Sequence, residues 1–403
     1  MNAKIKQYLW NTIGVSINSF ISLLYLIIVT RFNGLNHVGI FSFVFSFSLI
    51  IYAITSFGGR IYQVSDVDEF ETTHYFSFRF ISSLVGIIIA LLYIILFDSF
   101  DNRFLLIVFW LLIRIIESFS DVIYGIFQRH HRIDLVGKSL VIKNVINLLV
   151  FLFLEYTTKN VLFSTIGVFV STFIIFVLFD YVISLKFEKI KITLNRKLIQ
   201  LFKAGKYTCY FSLITVLIAN ISRFIVDWKL DEATQGYFGI IIMIPTVMAL
   251  FGQFFIQPEI VPITKAVIAK DRKDINTRVN RTIIILFVLS IVCILAIMIC
   301  GEFILELLYG ISFDGKKLIL CLALIGGLFN AITSIYSNVL TVLRKTKIQL
   351  ILYSCSCMML ALLTYFLSFD LYGIFIAYMI SMFVQMICFM ICYHIKFRKV
   401  VVR

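Results

Sequence analysis

The chain has 403 residues, of which 61% are hydrophobic and 14% charged, with a mean hydropathy of +1.00. A soluble domain carries roughly 25% charged residues, so this composition excludes one and marks an integral membrane protein. The net charge of +14 would suit a nucleic-acid binder, but the basic residues are distributed as a membrane surface requires, and no nucleic acid is implied as a partner.

The first ten residues, MNAKIKQYLW, place two Lys ahead of an apolar run that reaches Val29 with no small-residue cleavage site. This predicts a first membrane helix and not a cleaved signal. With about 20 residues per crossing, the apolar runs predict helices at 9–30, 39–58, 74–96, 104–128, 139–156 and 161–184. Six more follow at 207–228, 236–258, 282–300, 318–342, 348–368 and 373–394. The expected fold is all-α and integral to the membrane, with about twelve transmembrane helices in two parallel six-helix bundles. Residues 1–185 form the first bundle, 186–206 a basic cytoplasmic linker and 207–403 the second. Six crossings per half give both halves the same entry direction, the parallel-repeat arrangement of many transporters. Two short matches at equivalent positions agree with it: RFNGLNHVGIF (31–41) with DWKLDEATQGYF (227–238), and FQRHHRI (127–133) with VLRKTKI (342–348).

Orientation follows from the basic residues. The N-terminus, the alternate loops that share its side and the C-terminal tail hold 26 Lys and Arg, and the opposite loops hold 6. Both termini are therefore expected in the cytoplasm. Seven of those residues lie in the linker, beside anionic membrane lipid.

The remaining four basic residues, Arg79, Arg114, Lys143 and Arg223, fall inside predicted spans. In the fourth helix Arg114, Glu117 and Asp121 share one face, at offsets of 3, 4 and 7. Each charge at a helix centre costs roughly 2.5–3.5 kcal/mol even on translocon scales, so such a face is expected to line a passage between helices. In the seventh helix Arg223 and Asp227 stand one turn apart. Together these seven residues make a candidate cavity wall, in which fixed cations hold an anion such as phosphate and the acids accept hydroxyl hydrogen bonds. Asp180 and Glu259 are expected at the interface. Pro245, which has no N–H to give the carbonyl at 241, predicts a bend in helix eight and is a candidate hinge. Gly326 and Gly327 offer a second close approach of backbones.

Other chemistry is sparse. The eight cysteines all fall in apolar spans without a Cys-x-x-Cys and read as packing residues. No nucleotide, zinc or other cofactor motif is present. Buried acids leave open a coupling of transport to H⁺ or Na⁺, with Glu117 and Asp121 the candidates.

Three segments carry a family resemblance: RIYQVSDVDEFETTHYFSFR (60–79), FQRHHRIDLVGKS (127–139) and SRFIVDWKLDEATQGYFGIIIMIP (222–245). The chain resembles the Wzx-type flippases of bacterial polysaccharide synthesis, in the multidrug/oligosaccharidyl-lipid/polysaccharide exporter superfamily. The resemblance implies two six-helix bundles around a cationic cavity in the bacterial inner membrane. It also implies a lipid-linked oligosaccharide passenger on undecaprenyl diphosphate, turned from the inner to the outer leaflet for surface polysaccharide such as capsule or O-antigen. Other polysaccharide-assembly proteins are implied as partners, and no enzyme activity. Lipid II flippases of the superfamily have two further helices, for which this chain has no room. A drug/cation antiporter of the related MATE type shares the architecture, but basic residues inside the spans repel organic cations. A polysaccharide polymerase needs an outer active site, and the predicted outer loops are short.

Overall fold

A computed structural model describes residues 3–65, 70–97 and 102–401. Residues 66–69 of the segment 60–79, most of the predicted outer loop 97–103 and the last two residues of the tail lie outside them. Among the described residues the backbone is almost entirely helical, without strands. Hydrocarbon offers no partner to a backbone N–H or C=O, so each span closes its hydrogen bonds within itself.

In chain order, α1 (Ala3–Asn33), α2 (Leu35–Ser56), the short α3 (Gly59–Ser65), α4 (Thr72–Phe97), α5 (Asn102–Arg129) and α6 (Ile133–Thr158) lead to α7 (Val161–Ile175). A π-helical turn (Phe176–Tyr181) continues α7 into α8 (Val182–Ser184). After an irregular segment come α9 (Lys197–Lys229), α10 (Glu232–Ile241), α11 (Met243–Ile256), a 3-10 turn (Gln257–Glu259) and α12 (Ile260–Ile268). Then follow α13 (Arg272–Ala296), a second π turn (Ile297–Gly301), α14 (Glu302–Tyr309), α15 (Lys317–Val342), α16 (Thr346–Leu367) and α17 (Leu371–Val401). Eleven stretches among the described residues are long and apolar enough to cross a membrane. The twelfth span is α5, whose 28 residues include the charges of the fourth predicted helix.

Each predicted span coincides with a helix, but the helices run further. The second half of the predicted linker is already helix α9, and most of the predicted loop 259–281 is a helical hairpin, α12 and α13, that turns at Lys270 (φ 57°). Hydropathy marks where hydrocarbon ends, whereas helical hydrogen bonding continues into water until a turn interrupts it.

The chain divides into two compact units, Met1–Val216 and Leu217–Arg403, with the division inside α9. In the first, α1 and α6 meet backbone to backbone: a Cβ on Gly137 would run into the Trp10 carbonyl oxygen. Glycine permits that approach, as small residues do between membrane helices generally. Tyr25, Phe41, Trp110 and Phe151, from α1, α2, α5 and α6, close its core with ring centroids 4.7–6.4 Å apart. In the second unit, a Cβ on Gly327 of α15 would stand 2.6 Å from the Cα of Pro245 in α11, and one on Gly326 2.6 Å from the Tyr378 ring of α17. Where the bend is expected the helix is interrupted: α10 stops at Ile241, and α11 starts two residues before Pro245.

The two units also share a turn. After α5, His131 is left-handed (φ 56°) and the Arg132 N–H donates to the Phe127 carbonyl at 2.8 Å. After α15, Arg344 (φ 55°) and the Lys345 N–H, donating to Leu340 at 2.9 Å, repeat the arrangement. Both are Schellman caps. Their register sets His131 against Arg344, two residues away from the match of 127–133 with 342–348.

Candidate functional site in the first helical unit

The charged face of α5 does not act as one. Arg114 donates to the Glu117 carboxylate at 2.6 Å and, through Nε, to the Ser48 hydroxyl of α2 at 3.2 Å. Its guanidinium also lies over the Phe45 ring, 4.7 Å from the centroid, where the negative π face attracts it. Asp121, one turn beyond Glu117, turns to α4 instead and pairs with Arg79 at 3.3 Å. Arg79 is buried and donates a second hydrogen bond to the Thr55 carbonyl at 3.2 Å.

Lys143 does not join them. Its Nζ donates to the Ser120 hydroxyl at 2.9 Å, to the Tyr124 hydroxyl at 3.2 Å and to Asp180 at 3.1 Å. Asp180 also accepts from Ser120 at 2.8 Å and Ser139 at 2.5 Å. The expectation that Asp180 is interfacial is therefore corrected: it is fully buried, in the π-helical turn that interrupts α7. Glu259 does lie near a helix end, paired with Arg278 at 2.9 Å. In the second unit, Arg223 is buried and donates to Asn220 at 2.8 Å, while its carbonyl accepts from Gln235 at 3.2 Å. Asp227 follows one turn later at a partly exposed position.

The expected ring of fixed positive charge is thus, in the first unit, a set of ion pairs. Arg79, Arg114 and Lys143 each have a carboxylate within 3.3 Å. Uncompensated charge inside a membrane bundle is costly, and a carboxylate partner, on the same helix for Arg114 and on a neighbouring element for Arg79 and Lys143, offsets that cost.

One of these pairs lines a cavity of about 160 Å³ inside the first unit. Its polar wall is Asn18 and Ser22 of α1, Arg114 and Glu117 of α5, and Asn144 and Asn147 of α6; Tyr25, Phe45 and Trp110 supply aromatic surface. The Asn144 amide donates to Asn18 at 3.1 Å, and Asn147 is held by Thr172 at 2.8 Å and Ser171 at 2.6 Å. The wall therefore presents a guanidinium, a carboxylate and side-chain amides together, which can donate to phosphate or sugar oxygens and accept from hydroxyls. Sequence reasoning passed over the three asparagines. Their signal was present, as amides set into otherwise apolar helices, but their convergence needs the packing of α1 on α6.

The sequence pattern of the family described as "Polysaccharide biosynthesis protein" matches residues 5–264, more than half of the chain. This chain belongs to that family. A "Capsular polysaccharide biosynthesis protein CapF" of Staphylococcus aureus is 23% identical over 396 residues, which cover 96% of this chain and 98% of CapF. Among solved structures, "Lipid II flippase MurJ, inward closed conformation" aligns at a TM-score of 0.72 with 15% identity, covering 97% of this chain and 90% of MurJ. The inward-facing "multidrug resistance MATE family transporter of the MOP superfamily" aligns at 0.71 with 14% identity, covering 99% of both chains. At such identities these structures establish the fold. The member of the polysaccharide biosynthesis family described here thus has the membrane fold of MurJ and of the MATE transporter.

Proposed function

We propose that the protein carries an undecaprenyl-diphosphate-linked oligosaccharide unit from the inner to the outer leaflet of the bacterial cytoplasmic membrane, by alternating access between its two halves. The observation that carries this reading is the Arg114–Glu117 pair in the wall of a polar cavity inside a membrane bundle, in a chain of the polysaccharide biosynthesis family. A polyprenyl tail can remain in lipid throughout. Its charged, hydroxyl-rich head cannot cross hydrocarbon unaided, and needs donors for phosphate and acceptors for hydroxyls along its path. At about 160 Å³ the cavity is smaller than ordinary ligand sites, so it takes a fragment of the head and not a whole unit. Both termini and the basic segments 185–206 and 259–281 lie in the cytoplasm in this reading, and the passenger leaves toward the polysaccharide-assembly proteins outside.

The test is made in cells deleted for this protein and lacking a second flippase. Loss of surface polysaccharide with accumulation of the lipid-linked unit in the inner leaflet is expected. Intact surface polymer without accumulation overturns the reading and moves the antiporter alternative ahead of it.

A further inference from the structure

In the second unit, hydroxyls on α15 and α16 return their hydrogen to a carbonyl one turn back in the same helix. Thr333 donates to Phe329 at 2.9 Å, Thr341 to Ser337 at 3.0 Å, and Ser354 and Ser356 to Leu350 and Leu352 at 2.8 Å. Such a bond satisfies a hydroxyl that has no water to turn to. Ser381 of α17 does not make one. It is fully buried, and its Oγ has no hydrogen-bond partner among the described residues. One turn on, Gln385 is 1% exposed, and neither its Oε1 nor its Nε2 has a partner among them.

A spacing of four puts both side chains on one face of α17, near the middle of the apolar stretch Leu371–Ile395 and so far from water at either end. Aromatic rings flank this face on both sides. The Tyr378 ring lies against Gly326 of α15, and the Phe389 ring meets Tyr353 of α16 with centroids 4.7 Å apart. Because α16 and α17 are joined by a tight turn and run antiparallel, four residues from that ring pair Gln385 is level with Cys357. That buried thiol is a weak hydrogen-bond partner. Donors and acceptors left unpaired in a membrane interior are costly. An internal water typically makes about three hydrogen bonds to buried polar groups that lack other partners.

We propose that Ser381 and Gln385 hold an internal water molecule within the α15–α16–α17 bundle. The water accepts from the Gln385 Nε2–H and donates to Gln385 Oε1 and Ser381 Oγ, which satisfies all three atoms. A sodium ion does not fit them. A hard cation takes oxygen ligands and leaves Nε2 unpaired, and α15, α16 and α17 contain no Asp or Glu to offset its charge. Water also reorients, so both groups keep their hydrogen bonds if α17 slides against its neighbours.

The experiment uses the purified full chain in lipid nanodiscs and needs no passenger, so its outcome is independent of the oligosaccharide reading. A brief X-ray pulse in heavy-oxygen water makes hydroxyl radicals from internal water and labels the side chains beside it. Phe389 and Cys357 are expected to take up heavy oxygen, and Phe375, as fully buried on the same helix, to remain unlabelled. Gln385→Leu combined with Ser381→Ala removes all three polar atoms and is expected to abolish the uptake. If that variant does not assemble, the native comparison of Phe389 with Phe375 still decides. Equal labelling of Phe389 and Phe375, labelling that survives the double substitution, or labelling suppressed when Na⁺ replaces K⁺ would each overturn the proposal, the last by assigning the site to the cation.

Discussion

Lys143 of α6 and Asp180 of the π-helical turn lie 3.1 Å apart with side chains 5% and 0% exposed, and Ser120, Ser139 and Tyr124 complete their hydrogen bonds. A π turn inserts an extra residue into the helical repeat and so re-aims the side chains after it. Here it carries Asp180 into the bundle, where it locks α5, α6 and α7 together. The pair is therefore expected to hold the unit's structure, leaving the cavity to Arg114 and Glu117.

Removing one partner of this pair strands the other. Lys143→Met should destabilise the protein by about 3–5 kcal/mol, and the double variant Lys143→Met with Asp180→Leu should recover most of that loss. Thermal unfolding of the detergent-purified proteins measures both. Full stability of the single variant would contradict the network described.

Arg114→Glu places three acids along α5 and removes the donor in the cavity wall. Surface polysaccharide in complemented deletion cells should fall at least about tenfold, the equivalent of one lost charge-assisted hydrogen bond. Arg114→Lys keeps the charge, loses the planar fork and should retain part of the activity. Size-exclusion profiles of the variants show whether they assemble. Unchanged polymer from an assembled Arg114→Glu protein would remove Arg114 from the passenger's path.

Gly327→Ala puts a Cβ 2.6 Å from the Pro245 backbone, a contact that neither helix can relieve by turning a side chain. Overpacking of this kind costs roughly 1–3 kcal/mol. Gly34, at φ 80° with nothing near its missing Cβ, is the comparison: Gly34→Ala adds backbone strain and no contact. A helix-packing defect, seen as lowered thermal stability with separate loosening of α11 and α15 in hydrogen exchange, is expected for Gly327→Ala alone.

Single cysteines at 190–203 and 266–276 should react with impermeant reagent only from the cytoplasmic side, and one at Lys159 only from outside. Labelling of 190–203 from outside would reverse the orientation derived from the basic residues.

Asp231 caps α10, with its carboxylate accepting from the Thr234 N–H at 3.2 Å and the Thr234 hydroxyl at 2.6 Å. The Thr234 hydroxyl bond, with backbone N–H groups behind it, holds this carboxyl below its ordinary range. A depressed acid stabilises the fold above the unfolded-state value, and that contribution is lost as pH falls through the folded one. Asp231→Ala should cost about 1 kcal/mol at neutral pH, with a difference from the native protein that shrinks in acid. A difference that grows in acid would contradict the cap.

The sequence alone determined the membrane class, the twelve spans, their helical nature and the charged residues inside them. These follow from a single solvent property: hydrocarbon demands apolar runs of fixed length and penalises each charge one residue at a time, so the signal is local. Tertiary structure decided the partners. Arg114 with Glu117 was legible, because both lie on one helix three residues apart. The pairing of Asp121 with Arg79 was not, nor that of Asp180 with Lys143, because each joins elements separated by 42 and 37 residues. Spacing along one helix is set by 3.6 residues per turn, whereas the approach of two helices depends on glycines such as Gly137 and Gly327 and on the turns that bring them together.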